Sequence, residues 1–160
     1  CVTLFVGREM EGLVLVMVMV LCVVGEAFSL VALWIQLGKG AALCSPHDPR
    51  STSCHTVLLS TQGFLLRPIP NSALGCAFYL IVPAMLLLLP SPWDRILPMA
   101  AISVALLASC YLIYVMARVL RAWCKICLTT HAVNVGLALL LFLYWCAPTS
   151  MADVDHHREL

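Results

Sequence analysis

Charge is what this sequence has least of. Of its 160 residues, nine are Lys or Arg and eight are Asp or Glu, 11% in all, where soluble domains carry about 25%. So few charges cannot cover a water-facing surface. With 62% hydrophobic residues, the bilayer is the natural solvent. A net charge of +1 supplies no basic footprint for nucleic acid. The sequence also lacks a second CxxC motif, which argues against a paired-CxxC zinc site. The first apolar segment has no clear small-residue cleavage site and is too long for a signal-peptide core. It is expected to span the membrane. Cysteine, by contrast, is abundant: nine residues, most of them in apolar runs where a free thiol behaves as a small hydrophobe.

A hydrocarbon core about 30 Å thick needs roughly 20 apolar helical residues. Four segments meet this: Gly12 to Leu37, Ser72 to Leu89, Ile96 to Val119 and Cys124 to Cys146. In lipid a spanning backbone must satisfy its own hydrogen bonds, so these are helices rather than strands. Pro83 predicts a kink in the second. Pro98 is placed in the first turn of the third, where proline is tolerated, and Pro148 follows the fourth as a stop signal. The expected fold is all-α: one four-helix transmembrane domain over residues 1–150, with a long polar loop at 38–70 and a polar tail at 151–160. The other two links are short and force antiparallel neighbours. Both termini then share one face, and the long loop shares the other with the start of the fourth helix. That brings Cys44, Cys54, Cys124 and Cys127 to one end of the bundle.

The central motif is Trp123-Cys124-Lys125-Ile126-Cys127. A CxxC at a helix N-terminus favours the thiolate, the reactive form of cysteine, because the helix dipole stabilises negative charge there. Arg121 and Lys125 push the same way. CxxC pairs also bind zinc, but no metal site is expected here. Cys44 and Cys54, separated by nine residues, form either a structural disulfide or a mobile relay that exchanges with a second pair. A CxxC on the same face favours the relay. His47 and His55 stand beside this pair as possible ligands, although solvated loop histidines are commoner.

Residues at i, i+3, i+7 and i+10 along the fourth helix place Cys124, Cys127, His131 and Asn134 on one stripe. Polar groups in a membrane usually point into the bundle. His131, one turn from Cys127, can polarise a quinone oxygen, whereas Asn134 reads as glue between helices. Asn71 and Ser72 are placed to cap the second helix, and Asn71 can instead offer its amide to a ligand. Leu74, Phe78 and Val82 follow at helical spacing and can wall an apolar pocket or simply pack. Gly75 permits close helix approach. Glu26 lies roughly 16 Å inside the first helix. An intramembrane carboxylate is a functional candidate, though no particular role is assigned to it. Cys22, Cys76, Cys110 and Cys146 read as helix packing. The apolar residues Leu58, Leu59 and Phe64 to Leu66 suit an interfacial anchor or a lid.

Together, Asn71-Ser72 with Gly75-Cys76-Ala77-Phe78-Tyr79, the run CKICLTTHAVN from Cys124 to Asn134, and Ala42-Leu43-Cys44 resemble the vitamin K epoxide reductase family. The resemblance extends over about Ser29 to Tyr144 and is closer to animal-type members than to bacterial ones fused to a thioredoxin domain. It implies that Cys44 and Cys54 relay electrons from a thioredoxin-like protein or small thiol to Cys124. It implies further that Cys127 reacts with vitamin K epoxide or quinone, and that Asn71 hydrogen-bonds a quinone oxygen. The quinone is then a substrate, with no tightly bound cofactor, and warfarin-like anticoagulants are possible inhibitors. His131 stands where the family usually has tyrosine, the loop cysteines are spaced more widely, and the loop from His55 to Pro70 is shorter.

Two rival readings remain. The same cysteines serve a disulfide-generating enzyme that passes electrons from a thioredoxin-like partner to a respiratory quinone. A claudin-like structural four-span protein also carries two spaced loop cysteines. That family's Trp-Gly-Leu-Trp pattern is absent, and Cys124 and Cys127 argue against it. Sidedness has two opposed indicators. The long-loop face holds six basic residues, Lys39, Arg50, Arg67, Arg118, Arg121 and Lys125, against three on the other, Arg8, Arg95 and Arg158. Basic residues favour the cytosol, while disulfide chemistry favours an oxidising compartment. The redox argument is given more weight. The endoplasmic reticulum membrane with a lumenal active site is the expectation, and His157-Arg158-Glu159-Leu160 weakly echoes a retrieval ending.

Overall fold

The computed structural model describes residues 2–38, 56–60 and 69–146. These residues fold as helices without a strand. Helix α1 covers Val2–Gln36, α2 Asn71–Leu88, α3 Trp93–Tyr114 and α4 Lys125–Cys146. α3 runs into a π-helical segment, Val115–Leu120. Four stretches are long and apolar enough to cross a membrane: Gly12–Gln36, Asn71–Leu88, Trp93–Leu120 and Lys125–Cys146. The chain is therefore an integral, multi-pass four-helix bundle. α1 packs on α2 and α4, and α3 on α2 and α4, so α1 faces α3, and α2 faces α4, across the bundle.

Three features differ from the sequence expectation. α3 starts at Trp93, so Pro98 falls in its second turn, where it has no N–H for the carbonyl of Asp94. Pro98 is buried. The cap of α2 is Pro70, with no side-chain capping bond. Asn71 opens the helix, and Ser72 turns inward to donate its hydroxyl to Gln36 Oε1 of α1. Cys22 is buried in the core, but Cys110 and Cys146 are exposed on the outside of the bundle. They face lipid rather than packing between helices.

The central core joins Val18, Cys22, Tyr79, Val82, Ile102, Val133, Leu137 and Leu141. Through it runs a buried polar chain. Tyr79 of α2 donates to Asn134 Oδ1 of α4 at 2.7 Å, and Asn134 Nδ2 meets Ser109 Oγ of α3 at 3.0 Å. Asn134 thus links three helices, across the diagonal as well as between neighbours, as the packing role expected of it requires. The Tyr79 ring lies against Gly25 of α1, where a Cβ would collide with the ring carbons. At the N-terminal end of α3, the Tyr144 hydroxyl donates to Asp94 at 3.2 Å, and the Arg95 guanidinium lies 4.9 Å from the Tyr144 ring centroid.

Gly25→Ala forces Tyr79 off Asn134 and is expected to cost about 1–3 kcal/mol, the usual price of overpacking. Thermal unfolding in micelles checks this. Tyr79→Leu in the Gly25→Ala background should recover part of the loss, whereas an unchanged midpoint for Gly25→Ala alone contradicts the packing.

Candidate functional site

The site lies at the opposite end of the bundle, where α4 begins. Arg121 takes a left-handed backbone conformation, φ 49°, uncommon outside glycine. It reverses the chain after the π segment, and Ala122 N–H bonds back to the Met116 carbonyl at 3.1 Å. The turn delivers Cys124 to the position just before α4. There its sulfur accepts the backbone N–H of Cys127 at 3.5 Å, the bond an N-cap side chain makes to the third helical residue. The CxxC spacing is therefore also a capping spacing. It puts the Cys124 sulfur on the positive end of the helix dipole.

Cys124 is fully buried, among Ala32, Ile35, Val57, Leu58 and Met116. Cys127 is a partly exposed free thiol. Cys127 opens onto a pocket of about 580 Å³, its open mouth included, which lies between all four spans and the segment at 56–60. His131 and Thr130 of α4 line it, with Asn71, Ser72 and Gly75 of α2 and Met116 of the π segment. Its wall is mostly apolar, as small-molecule sites are. His131 is 8% exposed. Both its imidazole nitrogens are buried with no hydrogen-bond partner among the described residues.

The Gln36 side-chain amide ties the roof to α1. Gln36 at the end of α1 donates from Nε2 to the Leu58 carbonyl at 2.8 Å, while its Oε1 accepts from Ser72. Val57 and Leu58 are buried beneath this link. Gly75 lets α1 and α2 close on each other, for a Cβ there would stand 2.8 Å from Ser29 Oγ.

Of the residues singled out from sequence, Asn71, Cys127 and His131 meet at this pocket, and Cys124 stands directly behind Cys127. Leu74 and Phe78 are not among its lining residues. Phe78 packs against the central core and meets Tyr79 edge-on at 5.2 Å between ring centroids. Cys44 and Cys54, with His47, His55 and most of the long loop, lie outside the described residues. Among the described residues no group of His, Cys, Asp and Glu is arranged to hold a metal ion. Gln36, Ser29 and Met116 were not picked out from the sequence. Gln36 alone carried a signal, being an amide near the end of an apolar span. Glu26 lies one turn deeper than Ser29, its Oε2 buried without a partner among the described residues.

A multi-pass membrane bundle that sets one cysteine of a CxxC at a helix cap and the other on an apolar pocket has the form of a membrane thiol oxidoreductase. Comparison with known proteins agrees. Residues 16–142 match the model of the vitamin K epoxide reductase family. The chain is 34% identical over 139 residues to vitamin K epoxide reductase complex subunit 1 of Rattus norvegicus, covering 76% of this chain and 84% of that protein. The subunit of the same name from Mus musculus is 32% identical with the same coverage. The chain belongs to the vitamin K epoxide reductase family and is a membrane oxidoreductase related to those enzymes.

Replacing Gln36 with Leu removes its bonds to Leu58 and Ser72, a loss of about 1–2 kcal/mol locally. Amide exchange at residues 56–60 should accelerate by roughly tenfold while the centre of α4 is unaffected. Exchange at 56–60 identical to wild type contradicts the tie.

Proposed function

We propose that this protein reduces vitamin K epoxide and vitamin K quinone, with electrons relayed through Cys44 and Cys54 to the Cys124–Cys127 pair. The observation that carries the reading is the pairing of Cys127 with His131 on one apolar pocket, His131 having two orphaned nitrogens. Buried polar groups in native proteins are almost always satisfied. An imidazole with no partner among the described residues, facing a mostly apolar cavity beside a thiol, suits an apolar ligand that carries an oxygen. A quinone or its epoxide is such a ligand. The names of the rat and mouse relatives support the epoxide as substrate.

In the proposed cycle a thiol donor reduces the Cys44–Cys54 disulfide, and that pair reduces Cys124–Cys127 by thiol–disulfide exchange. The Cys127 thiolate attacks the bound substrate. Cys124 then displaces the adduct, leaving a Cys124–Cys127 disulfide. The two electrons and two protons given up by the dithiol convert quinone to hydroquinone, or epoxide to quinone and water. The capping bond from Cys127 N–H favours negative charge on Cys124, which helps it as the resolving thiolate. His131 and Asn71 act by hydrogen bonds to the substrate oxygens, which strengthen as negative charge builds on them. Leu74 and Phe78 remain candidate substrate contacts through their helix. The endoplasmic reticulum is the proposed location, and sensitivity to warfarin-like compounds is expected of the same pocket.

Dithiothreitol-driven reduction of both substrates in membranes tests the reading. Turnover of epoxide and quinone, abolished by Cys127→Ser, is the expected result. Quinone turnover alone assigns the protein to disulfide generation with a respiratory quinone, and turnover of neither by folded protein removes the redox reading. Within an active enzyme, His131→Phe should lower kcat/KM by about tenfold, the worth of one hydrogen bond. His131→Tyr, which restores a donor, should recover most of it. Equal rates for His131→Phe and wild type would show that His131 does not touch substrate.

A further inference from the structure

The pocket has a polar floor to which all four helices contribute. The lining residues farthest from the redox end are Ser29 of α1, Gly75 of α2, Leu112 of α3 and His131 of α4. One turn deeper on the same helix faces stand Glu26, Tyr79, Ser109 and Asn134. Tyr79 donates to Asn134, and Asn134 to Ser109. Glu26 is the member of this layer with a buried oxygen, Oε2, that has no partner among the described residues. It acts electrostatically on Cys76 and Tyr79 of α2. Its carboxyl therefore lies on the α2 side of α1, the side on which Ser29 meets Gly75.

Stability does not account for a carboxyl here. An ionisable group without a counter-charge is costly at this depth, and an apolar residue would pack α1 on α2 without that cost. The proposed reaction has a use for it. When a thiolate adds to a bound quinone, negative charge appears on a substrate oxygen inside an apolar cavity. The thiols stand at the opposite end of that cavity from the floor. Within the floor layer Tyr79 has its hydroxyl engaged by Asn134, and Asn134 and Ser109 are an amide and an alcohol. Glu26 is the acid. The other carboxyl whose side chain is described, Asp94, bonds Tyr144 at the far end of the bundle.

We propose that Glu26, in its protonated form, supplies a proton to the substrate oxygen that points down the bundle, acting through the Ser29 hydroxyl. The inference rests on the redox reading above and adds the route of one proton. Ser29 gives its proton to the oxyanion and takes one from Glu26, which is left as a carboxylate. Over one turnover the Cys124–Cys127 dithiol loses two electrons and two protons and becomes a disulfide. The quinone gains two electrons and two protons and becomes a hydroquinone. One thiol proton goes to the substrate and the other restores the Glu26 carboxyl, so Glu26 ends the cycle unchanged.

The test uses the full chain in phosphatidylcholine nanodiscs, with saturating dithiothreitol as reductant and vitamin K quinone as substrate. Glu26→Gln keeps the shape and polarity of the side chain but has no acidic proton. It should lower kcat by about a hundredfold, the low end of what proton transfer by a side chain contributes, and leave KM within about twofold. Glu26→Asp, which keeps an acid, should recover about tenfold of that loss. Ser29→Ala breaks the same route, so adding it to Glu26→Gln should slow the enzyme by no more than about twofold further. A kcat for Glu26→Gln within about twofold of wild type overturns the proposal. So does a Glu26→Asp no faster than Glu26→Gln, or a double variant whose losses multiply, since Glu26 would then act through packing. Should Glu26→Gln fail to fold, Ser29→Ala decides alone, and an unchanged kcat overturns the route. Wild-type turnover with an unaffected Glu26→Gln removes only this inference, whereas no turnover of quinone or epoxide by folded wild-type protein removes the redox reading with it.

Discussion

The structure depends on a solvent that does not reward burial of hydrocarbon. Lipid tails are as apolar as leucine, so the helices of this bundle gain little by hiding their large side chains from the surroundings. Leu88 at 80% exposed and Leu107 at 71% are as comfortable outside as Leu137 is inside. What distinguishes the inner faces is small and polar residues, which either admit a neighbouring backbone or find a hydrogen-bond partner. Gly25 receives the Tyr79 ring, Gly75 receives Ser29, and Tyr79, Asn134 and Ser109 bond to one another in a chain. These contacts fix the rotation of each helix, and the rotation of α4 fixes which of its residues face the pocket.

The consequence is a division along α4. Asn134 is held from two sides and acts as the pivot. His131 and Thr130, one turn nearer the redox end, face the cavity, and Thr130 offers its carbonyl to Tyr79 at 3.4 Å. Asn134 has both ends of its amide bonded, while His131 has no partner among the described residues. Two polar residues of one stripe therefore divide into a structural one and an orphaned one. The orphan is the one beside a thiol.

Much of this was legible in the sequence because it rests on periodicity and on residue types with narrow uses. Four apolar runs of spanning length could only be helices, and a CxxC followed at helical spacing by His131 and Asn134 had to share a face. The pocket's outer wall was not legible. Met116 and Ile126 belong to it, but apolar residues in an apolar helix carry no mark of the side they face. For the same reason Cys110 and Cys146 looked like packing. Gln36 does its work through the Leu58 carbonyl, a long-range partner no local pattern discloses. The shift of the α3 start to Trp93 follows the same logic. Pro98 suggested a boundary, yet a proline inside a packed helix is tolerated when its neighbours hold the turn.

The placement of the CxxC resolves a difficulty inherent in the proposed reaction. A lipid-soluble substrate must be kept in an apolar cavity, while a thiol donor arrives from water. Three residues of helix advance about 4.5 Å along the axis. Across that rise the motif passes from Cys124, capping the helix at the bundle's end, to Cys127, open to the pocket. One disulfide can thus be approached at its capping sulfur from the membrane surface and used at its other sulfur from within the bilayer. The fully buried position of Cys124 then has a reason. In the proposed reaction it keeps water and stray thiols from short-circuiting the pair.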